Sequence, residues 1–289
     1  NSIVILDHKI QQFTLVGHHS HHTDQLLECI ARLSARPNQK PRNSHGGSVQ
    51  LHPLTSDAVH SQRITQAQNY IAAGDIYQAN ISRRLVLDGS ITGTGILAAL
   101  NSLNPVAHGA YIKWNNLELV SNTMETLFNA DLKSRKISSY PIKGTCARQP
   151  HETRSACTPQ QLLATPKERA EHIMIVDLVR NDLGRICTPG TVKVPRLMNL
   201  EGYEGVWHGV STITGRLAPT KDISHAIRSL FPGGSITGAP KRRAVQIIRE
   251  LEEDGRGFYT GSIGIMAPNG YASFSIPVSY AHLRAHAAR

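Results

Sequence analysis

Between residues 110 and 144 the sequence runs AYIKW, LELVSN, TLFNADL and KISSYPIKG, four short apolar-rich segments joined by brief polar links. Successive segments of this kind read as strands of an antiparallel sheet, which constrains the fold more than any other stretch of the chain. The segments VKVPRL, VWHGVSTITGRL and FYTGSIGIM add further strands in the second half. SIVILDHKIQQFTLVGHH, at the start, alternates around a polar turn and reads as a hairpin. Strands mixed with a few helices predict an α+β fold.

The helices are legible from their ends and their periodicity. From Ser61, SQRITQAQNYIAAGD reads as a helix stopped by Gly74, followed by IYQANISRRLVL as a strand. ITGTGILAALNSLNP reads as a turn and a short helix ending before Pro105. TPKERAEHIMIVDLVRNDLGRI reads as a long helix, with Thr165 as N-cap, Pro166 at the first helical position and Glu168 completing a capping box. SHAIRSLF is a short helix. In APKRRAVQIIRELE, Ala244, Ile247, Ile248 and Leu251 recur at i, i+3, i+4 and i+7, one face of a helix. Residues 35–50 read as loop, and no internal repeat is visible.

Charge and composition exclude several classes of function. The net charge of +10 invites a nucleic-acid reading, but the lysines and arginines are scattered and only 5% of residues are aromatic, which leaves few stacking platforms. The expectation is a basic protein with no nucleic-acid partner, suited to a small anionic substrate. No apolar run approaches the roughly 18 residues of a membrane span, so no membrane partner is expected. Cys29, Cys146, Cys157 and Cys187 form no CxxC pair, which argues against zinc and fits a reducing, cytoplasmic setting. The histidines of GHHSHH (17–22) read as an exposed turn between two strands rather than a metal site.

Three stretches could carry chemistry. GGSITGAPK has the glycine spacing of a phosphate loop but lacks its Lys-Ser/Thr ending. Its glycines and the helix opened by Pro240 still suit an anion such as a carboxylate; a ligand-free turn is the alternative. Glu168 and Glu171 stand at i and i+3 on one helix face, where paired carboxylates could hold Mg²⁺; a cap and a solvated face explain them otherwise. In SSYPIKGTCARQ (138–149), Lys143 sits between a rigid Pro-Ile and a Gly-Thr rather than among other charges. It reads as a nucleophile, a base or a strand-end charge, and as a nucleophile its amine must be unprotonated.

Taken together, GDIYQANIS (74–82), SNTMETLF (121–128), PIKGT (141–145), ERAEHIMIVDLVRNDLGRIC (168–187), VWHGVSTITG (206–215), FPGGSITGAPKRRAVQIIRELE (231–252) and GFYTGSIGIM (257–266) resemble the chorismate-utilising enzymes, in the family's order. The resemblance implies the fold of anthranilate synthase component I: two antiparallel sheets in a sandwich, outer helices, and a site in the cleft between the sheets. Lysine in PIKGT resembles the para-aminobenzoate branch, aminodeoxychorismate synthase component I, where anthranilate synthase and isochorismate-type enzymes carry alanine. By that resemblance Lys143 attacks C2 of chorismate and Glu125, in SNTME, is the general acid. Glu168 and Glu171 would form half of an Mg²⁺ site. His208, Thr237, Gly238, Ala239 and Tyr259 would contact the substrate. The implied reaction is amination of chorismate to 4-amino-4-deoxychorismate for folate synthesis, with ammonia from a glutamine amidotransferase partner. Anthranilate synthase component I, and a chain that binds partner or ligand without turnover, are the alternatives.

The chain also departs from the family pattern. Related chains extend further at both ends, and after SFSI (273–276) the sequence reads PVSY where an Ile-Arg strand is expected. The family's second pair of Mg²⁺-binding glutamates is absent. The expected organisation is therefore a truncated chorismate-binding domain over 1–277, with 1–60 a remnant of the N-terminal part. The His/Arg-rich residues 278–289 are expected to be a non-native tail.

Overall fold

The computed structural model describes residues 2–7, 10, 12–17, 21–34, 50–89, 91–103, 105–147, 165–203, 206–278 and 280–284. The chain divides into two compact units, residues 1–44 and 45–289. The first contains the expected hairpin. Strands β1 (Ser2–Asp7) and β2 (Gln12–Gly17) pair antiparallel from Ser2↔Gly17 to Asp7↔Gln12. A helix the sequence did not announce, α1 (His21–Ser34), follows. The histidine-rich stretch thus leads from a strand into a helix and not, as expected, between two strands; His18–Ser20 lie outside the described residues.

The second unit is α+β, as expected. Its larger sheet has seven strands. β8 (Thr126–Asp131) is central, flanked on one side by β15 (Tyr271–Ser275) and the edge strand β14 (Ile263–Met266), and on the other by β9 (Lys136–Tyr140). β12 (Val206–Arg216) then pairs with β9 along one half of its length and with β10 (Ile142–Ala147) along the other, so that β9 and β10 lie end to end. β11 (Lys193–Tyr203) covers the opposite edge of β12. The break between β9 and β10 is Pro141, which has no N–H to donate to a ladder but whose carbonyl accepts from Ser211 N at 3.1 Å.

A three-stranded sheet is formed by β6 (His108–Trp114), β7 (Leu117–Thr123) and β16 (Tyr280–Arg284), the last paired to β7 from Tyr280↔Ser121 to Arg284↔Leu117. Residues 280–284, expected to belong to a tail, therefore form a strand. Two small ladders complete the unit: β3 (Gln50–Pro53) with β5 (Leu85–Asp88), and β4 (Gln78–Ala79) with β13 (Gly238–Ala239). The segment 76–87, expected as one strand, is split between the last two of these pairings. The loop expected over 35–50 lies outside the described residues except for Gln50, which begins β3.

Helices α2 (Asp57–Ala72), α3 (Gly93–Leu103), α4 (Pro166–Gly184), α5 (Ile223–Leu230) and α6 (Lys241–Leu251) match the predicted segments, with corrections at their ends. α2 starts earlier than Ser61, because Ser56 accepts from Val59 N and caps it. Thr165 makes no capping hydrogen bond, so the predicted capping box with Glu168 is absent; Pro166 does occupy the first turn. The capping box that does form lies on α5, between Asp222 and His225. The main core packs Phe128, Ile137 and Ile213 of the seven-stranded sheet against Val176 and Leu183 of α4 and Ala226 and Leu230 of α5. A second core joins Ala67 of α2 and Ile76 to Ala244, Ile247 and Leu251, three of the four residues predicted for the buried face of α6. Among the described residues, no helix is long and apolar enough to cross a membrane.

Candidate active site

Lys143 lies on β10, one residue after the strand begins, opposite Gly209 of β12. The register slips between Lys143 and Thr145, and Gly144 sits in the slip with φ of 80°, a conformation that glycine adopts without a Cβ penalty. Proline on one side and a glycine bulge on the other thus fix where the lysine side chain leaves the sheet. Its Nζ lies 2.9 Å from Glu171 Oε1, and both side chains are mostly buried. Glu171 also accepts from Gln78 Nε2 at 2.7 Å. Burial alone would raise the Glu171 pKa, but the hydrogen bond and charge of Lys143, with help from Gln78 and Lys167, hold the carboxyl below its usual range. An ammonium held in this way has no lone pair to give, so attack by Lys143 requires its proton to leave and the ion pair to open.

Beneath this pair, His172 is fully buried, with Nε2 against Ser211 Oγ, which in turn accepts from Met198 N at 2.8 Å. Burial pushes the imidazole below its ordinary pKa. The helix therefore presents Glu171 toward the lysine and anchors its next residue in the sheet.

Glu125 occupies the link between β7 and β8, where the chain passes from the smaller sheet into the larger one. Its backbone is held on both sides: Glu125 N donates to Thr123 Oγ1 at 3.1 Å, and its carbonyl accepts from Ile276 N at 2.9 Å. Burial pushes its carboxyl up to about 7, against the opposing effects of the Lys143 charge and a 3.4 Å hydrogen bond from Ser235 Oγ. A carboxyl that titrates near neutrality can hold a proton and give it up, as a general acid must. A cavity of about 320 Å³ lies beside it, with Glu125, Thr123, His208, Leu100, Val106 and Ile142 among its lining. His208 pairs with Thr145 across the bulge, and its Nδ1 lies 3.2 Å from Thr145 Oγ1 and 3.3 Å from Gly144 O.

The remaining expected residues sit on a neighbouring seam. Thr237, Gly238 and Ala239 follow a short 3-10 turn (Gly234–Ile236) and dock on residues 77–80. Tyr77 N donates to Ala239 O at 2.7 Å and Asn80 N to Thr237 O at 2.9 Å. Gly238 has φ of 140°, and any Cβ there would collide with Gln78 O. The Thr237 hydroxyl donates to Gly233 O at 2.8 Å, so its proton serves the loop itself. Tyr259 lies in a turn and not in the predicted strand, with the Arg256 guanidinium 5.6 Å from its ring centroid.

Glu168 and Glu171 project from α4 one turn apart, the hard oxygen donors that Mg²⁺ takes. Among the described residues, no group of three or more His, Cys, Asp or Glu side chains gathers to hold an ion. The two carboxylates fit Mg²⁺ only as part of a shell that substrate and water complete.

Several residues at the site lie within or beside the motifs without a role that the motif assigns. Gln78 bridges to Glu171. Lys241, at the start of α6, forms a buried ion pair with Asp182 of α4 and donates to Leu230 O at 3.1 Å. Glu252 and Arg256 form a second buried pair.

The whole sequence, residues 1–289, matches the family described as chorismate binding enzyme. The chain belongs to that family. It is 37% identical over 247 residues to an anthranilate synthase component 1 from Streptomyces coelicolor, an alignment covering 85% of this chain and 48% of that one. It is 33% identical over 287 residues to an aminodeoxychorismate synthase component 1 from Bacillus subtilis, covering 96% of this chain and 60% of the relative. The chain thus spans about half the length of the curated relatives it matches. Its fold superposes on anthranilate synthase component I from Streptococcus pneumoniae with a TM-score of 0.83, covering 98% of this chain and 64% of that one at 24% sequence identity. Relatives with both enzyme names match this chain.

Proposed function

We propose that this chain catalyses the amination of chorismate to 4-amino-4-deoxychorismate, on the branch that leads to para-aminobenzoate and folate. The observation that carries this reading is the placement of Lys143: a lysine fixed between Pro141 and the Gly144 bulge, and held at 2.9 Å by a carboxylate. The Lys143 amine, once deprotonated, attacks C2 of chorismate. Both ring double bonds shift, C1=C2 to C1=C6 and C5=C6 to C4=C5, and the C4–O bond breaks. Glu125, protonated at and below about pH 7, delivers its proton to the departing C4 hydroxyl, which leaves as water. Ammonia then adds at C4, both double bonds shift back, and the C2–N bond to Lys143 breaks. The covalent route divides one difficult substitution into two easier steps. His208, the Thr237–Ala239 segment and Tyr259 would contact the substrate. Glu168 and Glu171 would hold Mg²⁺, whose positive charge would bind and polarise the substrate carboxylate. The ammonia would come from a glutamine amidotransferase subunit, by analogy with relatives named as component 1.

A second reading, anthranilate synthesis, is favoured by the identity to enzymes of that name. It differs by elimination of pyruvate after amination. The test is intact mass after incubation with chorismate and Mg²⁺ without ammonia. A substrate-derived mass gain mapped by digestion to Lys143 supports the first reading. Pyruvate and anthranilate on addition of ammonium, with no lysine adduct, replace it with the second.

A further inference from the structure

A clamp formed by two charged side chains lies outside the groups assigned above. Glu252 and Arg256 are one helical turn apart just after α6, with 7% and 13% of their side chains exposed. Their contact is bidentate: Arg256 Nε donates to Glu252 Oε2 at 2.8 Å and Nη2 to Oε1 at 2.7 Å. A paired guanidinium and carboxylate in this geometry are strongly directional, and few surface ion pairs are built this way.

What the pair holds is more informative than the pair itself. Arg256 Nη1 donates to Ile236 O at 3.0 Å, at the root of the Thr237–Ala239 segment. Arg256 Nη2 also donates to Asn80 O, just after the strand β4 that docks against that segment. Glu252 Oε1 accepts from Ser82 N at 2.7 Å and from Ser82 Oγ at 3.0 Å. The guanidinium face also lies over Tyr259. One ion pair therefore bonds to residues flanking both strands of the β4–β13 seam and stacks on Tyr259, another expected substrate contact. The same strand carries Gln78, whose side chain reaches Glu171 and through it Lys143.

We infer that Glu252 and Arg256 are positioning residues: their buried pair fixes the β4–β13 seam, and so sets the substrate segment Thr237–Ala239 and the Gln78–Glu171–Lys143 group in one common register. The part of this inference that concerns substrate rests on the reading under Proposed function. Because the pair is buried and each partner also satisfies backbone groups, a neutral or shorter replacement frees both sides of the seam together.

The experiment is residue-resolved amide exchange on the intact chain. Tyr77, Asn80 and Ser82 donate to the substrate segment or to Glu252 directly. In the wild type these three amides should open as one unit, with protection within about threefold of one another. In Arg256→Lys and Glu252→Gln, exchange at all three should rise together by about tenfold or more while Ile213 in β12 stays unchanged. With chorismate and ammonium, the KM for chorismate should rise about tenfold in both variants, a loss of binding that a uniformly loosened fold would not confine to this seam. Wild-type protection that differs by more than about tenfold among the three amides overturns the inference, and this holds even if neither variant folds. So does a folded variant in which Tyr77 and Asn80 are unchanged, or in which Ile213 exchanges faster by the same factor. If the exchange pattern holds but the wild type does not consume chorismate, the clamp stands and the proposed reaction fails.

Discussion

Lys143 Nζ and Glu171 Oε1 are 2.9 Å apart, so the expected nucleophile and an expected metal ligand are each other's partner. The two were assigned separate roles from motifs 28 positions apart in the chain. Their contact makes the state of one conditional on the other. A cation that drew Glu171 away would also release the amine, and metal binding would then be linked to nucleophile activation within one pair of atoms.

Lys143→Ala should abolish the covalent adduct with chorismate. It should slow amination by about 100-fold or more, equivalent to roughly 2.7 kcal/mol of barrier. Single-turnover assays with intact-mass detection check this, and a variant that aminates at the wild-type rate removes the nucleophile role.

Glu168→Gln and Glu171→Gln separate coordination from ion pairing. Each should raise the half-saturating Mg²⁺ concentration by at least the roughly tenfold typical of losing a supporting group at a metal site. Only Glu171→Gln should also change the rate at which Lys143 reacts with an amine-directed acylating reagent, measured without metal. An Mg²⁺ titration unchanged in both variants takes the metal away from this helix face.

The Glu125 carboxyl titrates at about 7 in the fold against 4.5 as its ordinary value. The folded state therefore binds this proton more tightly than the unfolded chain does. The stability the bound proton contributes is complete below about pH 4.5, falls as pH rises, and is gone above about pH 7. The total is on the order of 3 kcal/mol. Glu125→Gln should therefore gain stability relative to the wild type between pH 4 and 8, read from urea unfolding, while losing the proton needed for the leaving group. A stability difference that is flat with pH contradicts the raised pKa.

Gly144→Ala places a Cβ at φ of 80° in the bulge beside Lys143. The cost in stability should be about 1–2 kcal/mol. The loss of adduct formation should be larger than that cost explains, because relieving the strain re-aims the lysine. Thermal unfolding and adduct yield, measured together, test whether the bulge serves aim or only turn geometry.

Much of the secondary structure was legible because its signals are local. The apolar-rich segments of residues 110–144, the Pro166 start and the i, i+3, i+4, i+7 face of α6 depend only on neighbouring residues, and each predicted an element that forms. The failures are also local, where competing signals were balanced. Thr165 and Glu168 have the residue types of a capping box without its hydrogen bond, whereas Asp222 and His225 make one with an unusual partner. The helix α1 lay hidden behind a histidine cluster that resembled a turn.

By its order of motifs the sequence alone determined the family, and by its residue types it determined the candidate chemistry: a lysine flanked by proline and glycine, a carboxyl between two strands, and paired glutamates on a helix. Only the tertiary structure decided which of these groups meet. Lys143 reaches Glu171 because β10 lies under α4, and Glu125 titrates near neutrality because the passage between two sheets buries it. Glu252 and Arg256 join residues more than 150 positions apart in the chain. Propensity and periodicity act over a few residues, but electrostatics and desolvation act through space, and the packing of the sheets and helices sets those distances.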